Sequence, residues 1–233
     1  MNDFRPKGIQ NRPIQNKFES PSTPKTLILL EQLIGSKKRI SFLVICLFAL
    51  LVLFVKKSFI EDETAAFEFM ADRPEGSWLK LRSIFQYLSI PMVYAWKFLV
   101  VGFVVWVGCF TMGYRVTFEQ CWRAVTASEL ICLLPELIKI VYFMAIETDP
   151  DFYRIQNFYP LSAVGLFNPD TLPDQFRYPL KSINLFEVLY IYSLAASLSL
   201  ITGRTQKDMF RVLLLTYLPI LLVWLVFWMI VYR

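Results

Sequence analysis

Five ionisable residues stand inside long apolar runs of this chain: Lys97, Glu129, Glu136, Lys139 and Glu187. In a membrane-spanning helix a central charge costs ~2.5 to 3.5 kcal/mol on insertion scales, so each of them needs a partner or a task. Glu136 and Lys139 are three apart and share a helix face, which predicts a pair within one helix. Lys97 and Glu187 are placed to close the cluster from neighbouring helices, and Glu129 is expected near the cytoplasmic face. Two lysines and two glutamates sum to zero. A balanced set is what structural glue requires, whereas a cation path more often shows an excess of carboxylate. The competing readings are a solute or proton pathway through the cluster, and lysines that simply snorkel to the surface.

What is missing narrows the chemistry further. The chain has no histidine, so Ser-His hydrolysis, HExxH zinc chemistry and haem ligation by His have no candidate residues. The aspartates, among them Asp149, Asp151, Asp170, Asp174 and Asp208, fall in loops or flanks, which removes an intramembrane aspartyl dyad. Cys46, Cys109, Cys121 and Cys132 have no CxxC spacing and are expected to pack as small hydrophobes. Neither GxGxxG nor GxxxxGK[ST] occurs, so no nucleotide, metal or other cofactor is expected and the chain is not expected to be an enzyme.

The elements that must position these charges are helices in a bilayer. The chain is 233 residues long, 56% hydrophobic and only 18% charged, with a mean hydropathy of +0.47; a soluble domain usually carries about 25% charge. Five apolar runs predict an all-α membrane protein with five transmembrane helices, at 40–55, 91–113, 124–146, 183–202 and 209–232. The first is short and spans only if its flanking lysines snorkel. It starts far from the N-terminus and no A-x-A site follows it, so it is read as a retained span and not a signal peptide. Residues 1–25 combine Pro6, Pro13, Pro21 and Pro24 with polar residues and are expected to be a flexible basic tail. Residues 26–39 form a short interfacial helix on this reading, ending in the membrane-surface cluster Lys37, Lys38 and Arg39. Residues 40–233 form the transmembrane domain.

Lysine and arginine in the N-terminal tail and in the turns after the second and fourth spans put those segments in the cytoplasm, and the C-terminus outside. Lys56 and Lys57 vote against this at the first exit. The acidic-leaning connections then lie outside. Within the first, 78–90 reads either as an interfacial helix or as an extension of the second span, with Pro91 at the junction. The second, 147–182, is rich in aromatics and is expected to fold onto the headgroups. Ser193, Ala196 and Ser197 form a small-residue stripe that lets another helix approach closely. Pro135 and Pro219 are expected to bend their helices.

The runs NFYPLSAVGLF at 157–167 and SINLFEVLYIYSLAASLSLITGRTQKDMF at 182–210, with SELICLLPELIKIV in the third span, resemble bacterial members of the Yip1-domain family. That family shows an N-x-F-x-x-[WLY]-x-[IL] opening to its fourth helix and a T-[GK]-x-[ST] turn before its fifth. The resemblance covers about 91–232, and Ala196-Ser197 departs from it where many relatives carry a glycine. It implies five helices, a cytoplasmic N-terminus and a non-catalytic role.

The expected function is a non-enzymatic accessory or scaffold subunit of a bacterial inner membrane. Its partners are the lipid bilayer and other membrane proteins or further copies of itself, with no nucleic acid. A small-solute or ion transporter or channel using the Lys/Glu cluster is the first alternative. A lipid-handling membrane protein is the second.

Overall fold

The computed structural model describes residues 38–58, 76–146, 155, 158–167 and 172–232, together with the backbone alone at the start of two helices. The expected tail, the expected interfacial helix as far as Lys37, and residues 59–75, 147–154, 156–157 and 168–171 of the two long connections lie outside the described residues. Every regular element among the described residues is helical. Helix α1 is Lys38–Lys56, α2 Gly76–Thr111, α3 Phe118–Ser128, α4 Leu130–Ala145, α5 Asp174–Ser182, α6 Leu185–Thr202 and α7 Gln206–Val231, with a short 3-10 turn at Ala163–Leu166. Four helices, α1, α2, α6 and α7, are long and apolar enough to cross a membrane, which marks the chain as an integral membrane protein. Among the described residues the expected count of five is not reached as five continuous helices.

The difference lies in the third run. It begins earlier than its apolar stretch, at Phe118, because Thr117 and Gln120 form a reciprocal capping box. It then breaks at Glu129, whose N–H is shared between the carbonyls of Val125 and Thr126 while its own carbonyl accepts from Cys132 N–H at 2.9 Å. Thr126 and Ser128 turn their hydroxyls back onto the carbonyls of Trp122 and Ala124, a competition that loosens a helix end. Pro135 follows six residues later and removes the donor that would have served Ile131. Helix α2 differs in the other direction: it runs 36 residues without interruption through Pro91, about 54 Å, so 78–90 is an extension of the second span.

Helix α6 is the axis of the bundle. It packs on α3, α4 and α7, while α2 lies against α1, α3 and α7. Half of α6 is buried, and α7 is the least enclosed of the four long helices. Phe98, Val105, Val125, Leu194, Leu198, Met209 and Leu213 meet in the core. Gly108 brings α2 against α7 so closely that a Cβ there would stand 2.6 Å from Thr216 Cγ2. Asn184 caps α6 by accepting from Glu187 N–H at 2.8 Å, and Gly203, at φ 67°, ends it in the left-handed region. Leu185 N–H donates to Leu161 O, which ties residues 158–167 to the start of α6. Helix α5 docks on the end of α7, where Tyr178 meets Trp228 at 4.4 Å between ring centroids and accepts from Trp224 Nε1 at 3.2 Å.

Candidate functional site

The charges sort into two cross-helix pairs. Lys97 of α2 donates to Glu129 Oε1 at 2.6 Å, the glutamate side chain 1% exposed and the lysine 38%. Glu129 occupies the break between α3 and α4, eleven residues and ~16 Å along from the start of α3. The Lys97 ammonium also stands 5.7 Å from the centre of the Tyr190 ring of α6, a cation–π contact. Glu129 Oε2 and the Tyr190 hydroxyl are buried with no hydrogen-bond partner among the described residues. Ser128, Ser193 and Ser197 adjoin this centre, with hydroxyl oxygens 3.4 Å apart between α3 and α6. The stripe of Ser193, Ala196 and Ser197 is buried at that contact. Glu187 stands apart from both pairs, one turn before Tyr190, where its Oε1 accepts from Tyr217 of α7 at 2.7 Å.

Glu136 is joined to Lys56 of α1 at 3.3 Å, with side chains 32% and 19% exposed. Lys139, one turn further along α4, is buried. The structure thus brings Lys97 to Glu129 and Glu136 to Lys56; it does not gather Lys97, Glu136 and Glu187 into one cluster of direct contacts. Lys56, Lys97 and Lys139 against Glu129, Glu136 and Glu187 still sum to zero.

The Lys56–Glu136 pair stands at one end of a cleft of ≈300 Å³ between α1, α2 and α4. Ala49, Val52 and Val93 line its apolar part, while Gln86 and Ser89 join the pair at the polar end. Two groups from outside the long helices respond to this end. Burial lowers the Lys181 ammonium below its ordinary value, with Lys56 and Arg177 lowering it further and Glu136 opposing them. Burial raises the Tyr159 hydroxyl, and Glu136 adds to the rise. At the other end of α1, Arg39 lines a second cleft of ≈320 Å³ with Phe42, Phe118, Glu119 and Trp122. Lys38 opens α1, beside it.

Sequence reasoning read Lys56 as a flanking charge and gave no part to Tyr190, Tyr217 or Ser128. Spacing carried a signal for one of them: Glu187, Tyr190, Ser193 and Ser197 recur at three or four residues and share one face of α6. Among the described residues no group of three or more His, Cys, Asp or Glu stands where it could hold a metal ion. The four cysteines are free. Comparison with protein-family models, curated proteins and solved structures gives no match.

Proposed function

We propose that this chain is a non-enzymatic integral membrane subunit that packs within a larger membrane assembly, formed with other proteins or with its own copies. One observation carries the reading: the polar centre is spent on internal contacts while long apolar faces are left uncovered. Lys97 and Glu129 are joined within the chain, as are Glu187 and Tyr217. In contrast, α7 beyond Pro219 exposes Ile220, Leu222, Val223, Phe227 and Ile230, and α2 exposes Ile84, Phe85, Leu88 and Met92 before it reaches the core. A face of that extent is covered by lipid or by protein.

In this reading α3 and α4 together make a broken fifth crossing, the N-terminus is cytoplasmic and the C-terminus lies outside a bacterial inner membrane. Kinship with the Yip1-domain family belongs to the same proposal. Crosslinking in native membranes followed by mass determination is expected to give a defined oligomer or a fixed set of partners; recovery of the monomer alone would remove the reading. Reporters fused to the two ends are expected in opposite compartments, and the same compartment for both would remove the five-crossing topology.

A solute or proton pathway is the second reading, favoured by the unpartnered Glu129 Oε2 and Tyr190 hydroxyl at the bundle centre. It requires flux in proteoliposomes that Glu129→Gln abolishes. Absence of proton flux under an imposed pH gradient would leave the polar centre structural.

A further inference from the structure

Residues 158–167 carry an apolar tip that faces away from the bundle. Phe158 stacks on Tyr142 of α4 at 4.5 Å between ring centroids, and Tyr178 meets Trp228, so two of the aromatics expected on the headgroups turn to protein instead. The tip is made by other side chains. Leu166 is 85% exposed and Leu161 65%, with Phe167 exposed beside them. Val164 is the buried foot of the 3-10 turn, and a Cβ on Gly165 would meet no atom within 4 Å, so the turn stands clear of the helices.

A short bridge fixes what this tip stands beside. Ser162 pairs with Asn184: Ala163 N–H donates to Ile183 O at 2.9 Å and Leu185 N–H donates to Leu161 O at 3.1 Å. In such a bridge the facing residues point to one side and their neighbours to the other. Ser162 and Asn184 take the inner side, where Ser162 donates to Tyr159 O and Asn184 caps α6. Leu161, Ile183 and Leu185 take the outer side and are exposed. Leu185 is the first residue of the α6 span, and one turn further in the same helix exposes Val188. In a membrane Val188 is bathed in lipid, and the same apolar strip leads back from it to Leu161. Leu161 itself holds φ 54°, a left-handed conformation that glycine or asparagine adopts at less cost. The strained backbone carries a large apolar side chain on the lipid side.

We propose that residues 161–167 are a membrane-inserting wedge: Leu161, Leu166 and Phe167 enter the bilayer at the boundary of headgroups and acyl chains beside the start of α6, and what covers them is lipid. Apolar side chains at that depth leave water without needing a charge to hold them. The wedge extends the lipid contact of the bundle sideways from α6, on a turn that no long helix supports. The inference rests on the long helices standing in a membrane and is separate from docking into an assembly.

The test uses the full-length chain with one added cysteine at a time: Leu166→Cys, Leu161→Cys, Val188→Cys in the span, or Arg204→Cys in the exposed turn after α6. Each is labelled with the polarity-sensitive fluorophore NBD and placed alone in phosphatidylcholine nanodiscs. The unsubstituted chain, labelled in parallel, gives the background of the native thiols. All four positions are exposed, so the substitutions disturb no packing. The label at 166 and at 161 is expected to emit to the blue of the label at 204. It is expected to lose at least half its intensity when the phosphatidylcholine carries a doxyl quencher near the headgroup end of its acyl chain, as the label at 188 does. Water-like, unquenched emission at 166 or 161 while the label at 188 is quenched overturns the proposal. Blue emission at 166 that the doxyl lipid leaves unquenched means that a second copy covers the turn, and overturns it too. Unquenched emission at 188 as well would remove the membrane reading together with the wedge.

Discussion

Lys97–Glu129 and Lys56–Glu136 are the same two side-chain types joined across helices, at 2.6 and 3.3 Å, and they differ in what surrounds them. The first has its carboxylate sealed by α6 at the centre of the bundle. The second stands beside a cleft with both partners in contact with the outside. Coulomb attraction in a low dielectric is strong, but so is the cost of bringing the charges there, and burial raises both. The sealed pair is therefore committed on its acidic side: Lys97 is not removed without leaving the Glu129 carboxylate stranded. The open pair gives up little when it is broken, because both of its side chains keep contact with the outside.

The largest effect is expected where that comparison is pushed hardest. Lys97→Met leaves the Glu129 carboxylate 1% exposed with its cation gone, at a cost of ~3 to 5 kcal/mol in detergent unfolding titrations. Glu129→Gln should cost markedly less, because the Lys97 side chain is 38% exposed and is free to swing away when its partner is gone. The double change Lys97→Met/Glu129→Leu should recover most of the loss. An equal cost for both single variants would mean that the two partners are equally sealed, and the contrast with the open pair would have to be redrawn.

The sequence carried the long helices well, because a bilayer demands unbroken apolar length and little else. The run at 40–55 became Lys38–Lys56, and that at 183–202 became Leu185–Thr202. Two things escaped it. Hydropathy does not register a helix start made by a polar capping box, so the helix begins at Phe118, six residues before the apolar run at Ala124. The cross-helix partner of Glu136 escaped too: only the packing of α1 on α4 brings Lys56 to that carboxylate. The letters that resemble the Yip1 pattern have a local physical account. Asn184 is the cap of α6, Phe186 and Ile191 are buried, Gly203 ends the helix and Thr205 caps α7. They punctuate helices, and for that reason they convey architecture more than activity.

Whether the sealed half extends as far as α7 is a question of packing. Gly108→Val places atoms inside contact distance of Thr216 and is expected to destabilise by ~1 to 3 kcal/mol. Gly102→Ala, whose new methyl meets Phe118 and Trp122 at an ordinary 3.6 to 3.7 Å, should gain ~0.5 to 1 kcal/mol from helix propensity. A tolerated Gly108→Val would show that α7 moves away freely and belongs with the open periphery. At the start of α6, Asn184→Ala removes the acceptor for Glu187 N–H and should cost about 1 kcal/mol, measured by the same titration.

The smallest effect concerns the open pair and is read through pH. Lys181 has an ammonium lowered below 10.5 by burial and by Lys56 and Arg177, and held up in part by Glu136. Between that lowered value and 10.5 the unfolded chain binds more protons than the folded one, so stability rises with pH across this window and is flat below it. Melting curves in detergent from neutral pH to about 10.5 should show the rise, and Lys181→Met should flatten it. Glu136→Gln removes the group that opposes the lowering and should extend the rise to lower pH. Lys56→Met removes a repelling cation and should confine it to higher pH. Opposite displacements from two partners of one ion pair require both charges to act on Lys181 separately. If Glu136→Gln and Lys56→Met left the curve where it was, neither charge would act on Lys181, and the open pair would be as isolated from its surroundings as the sealed one.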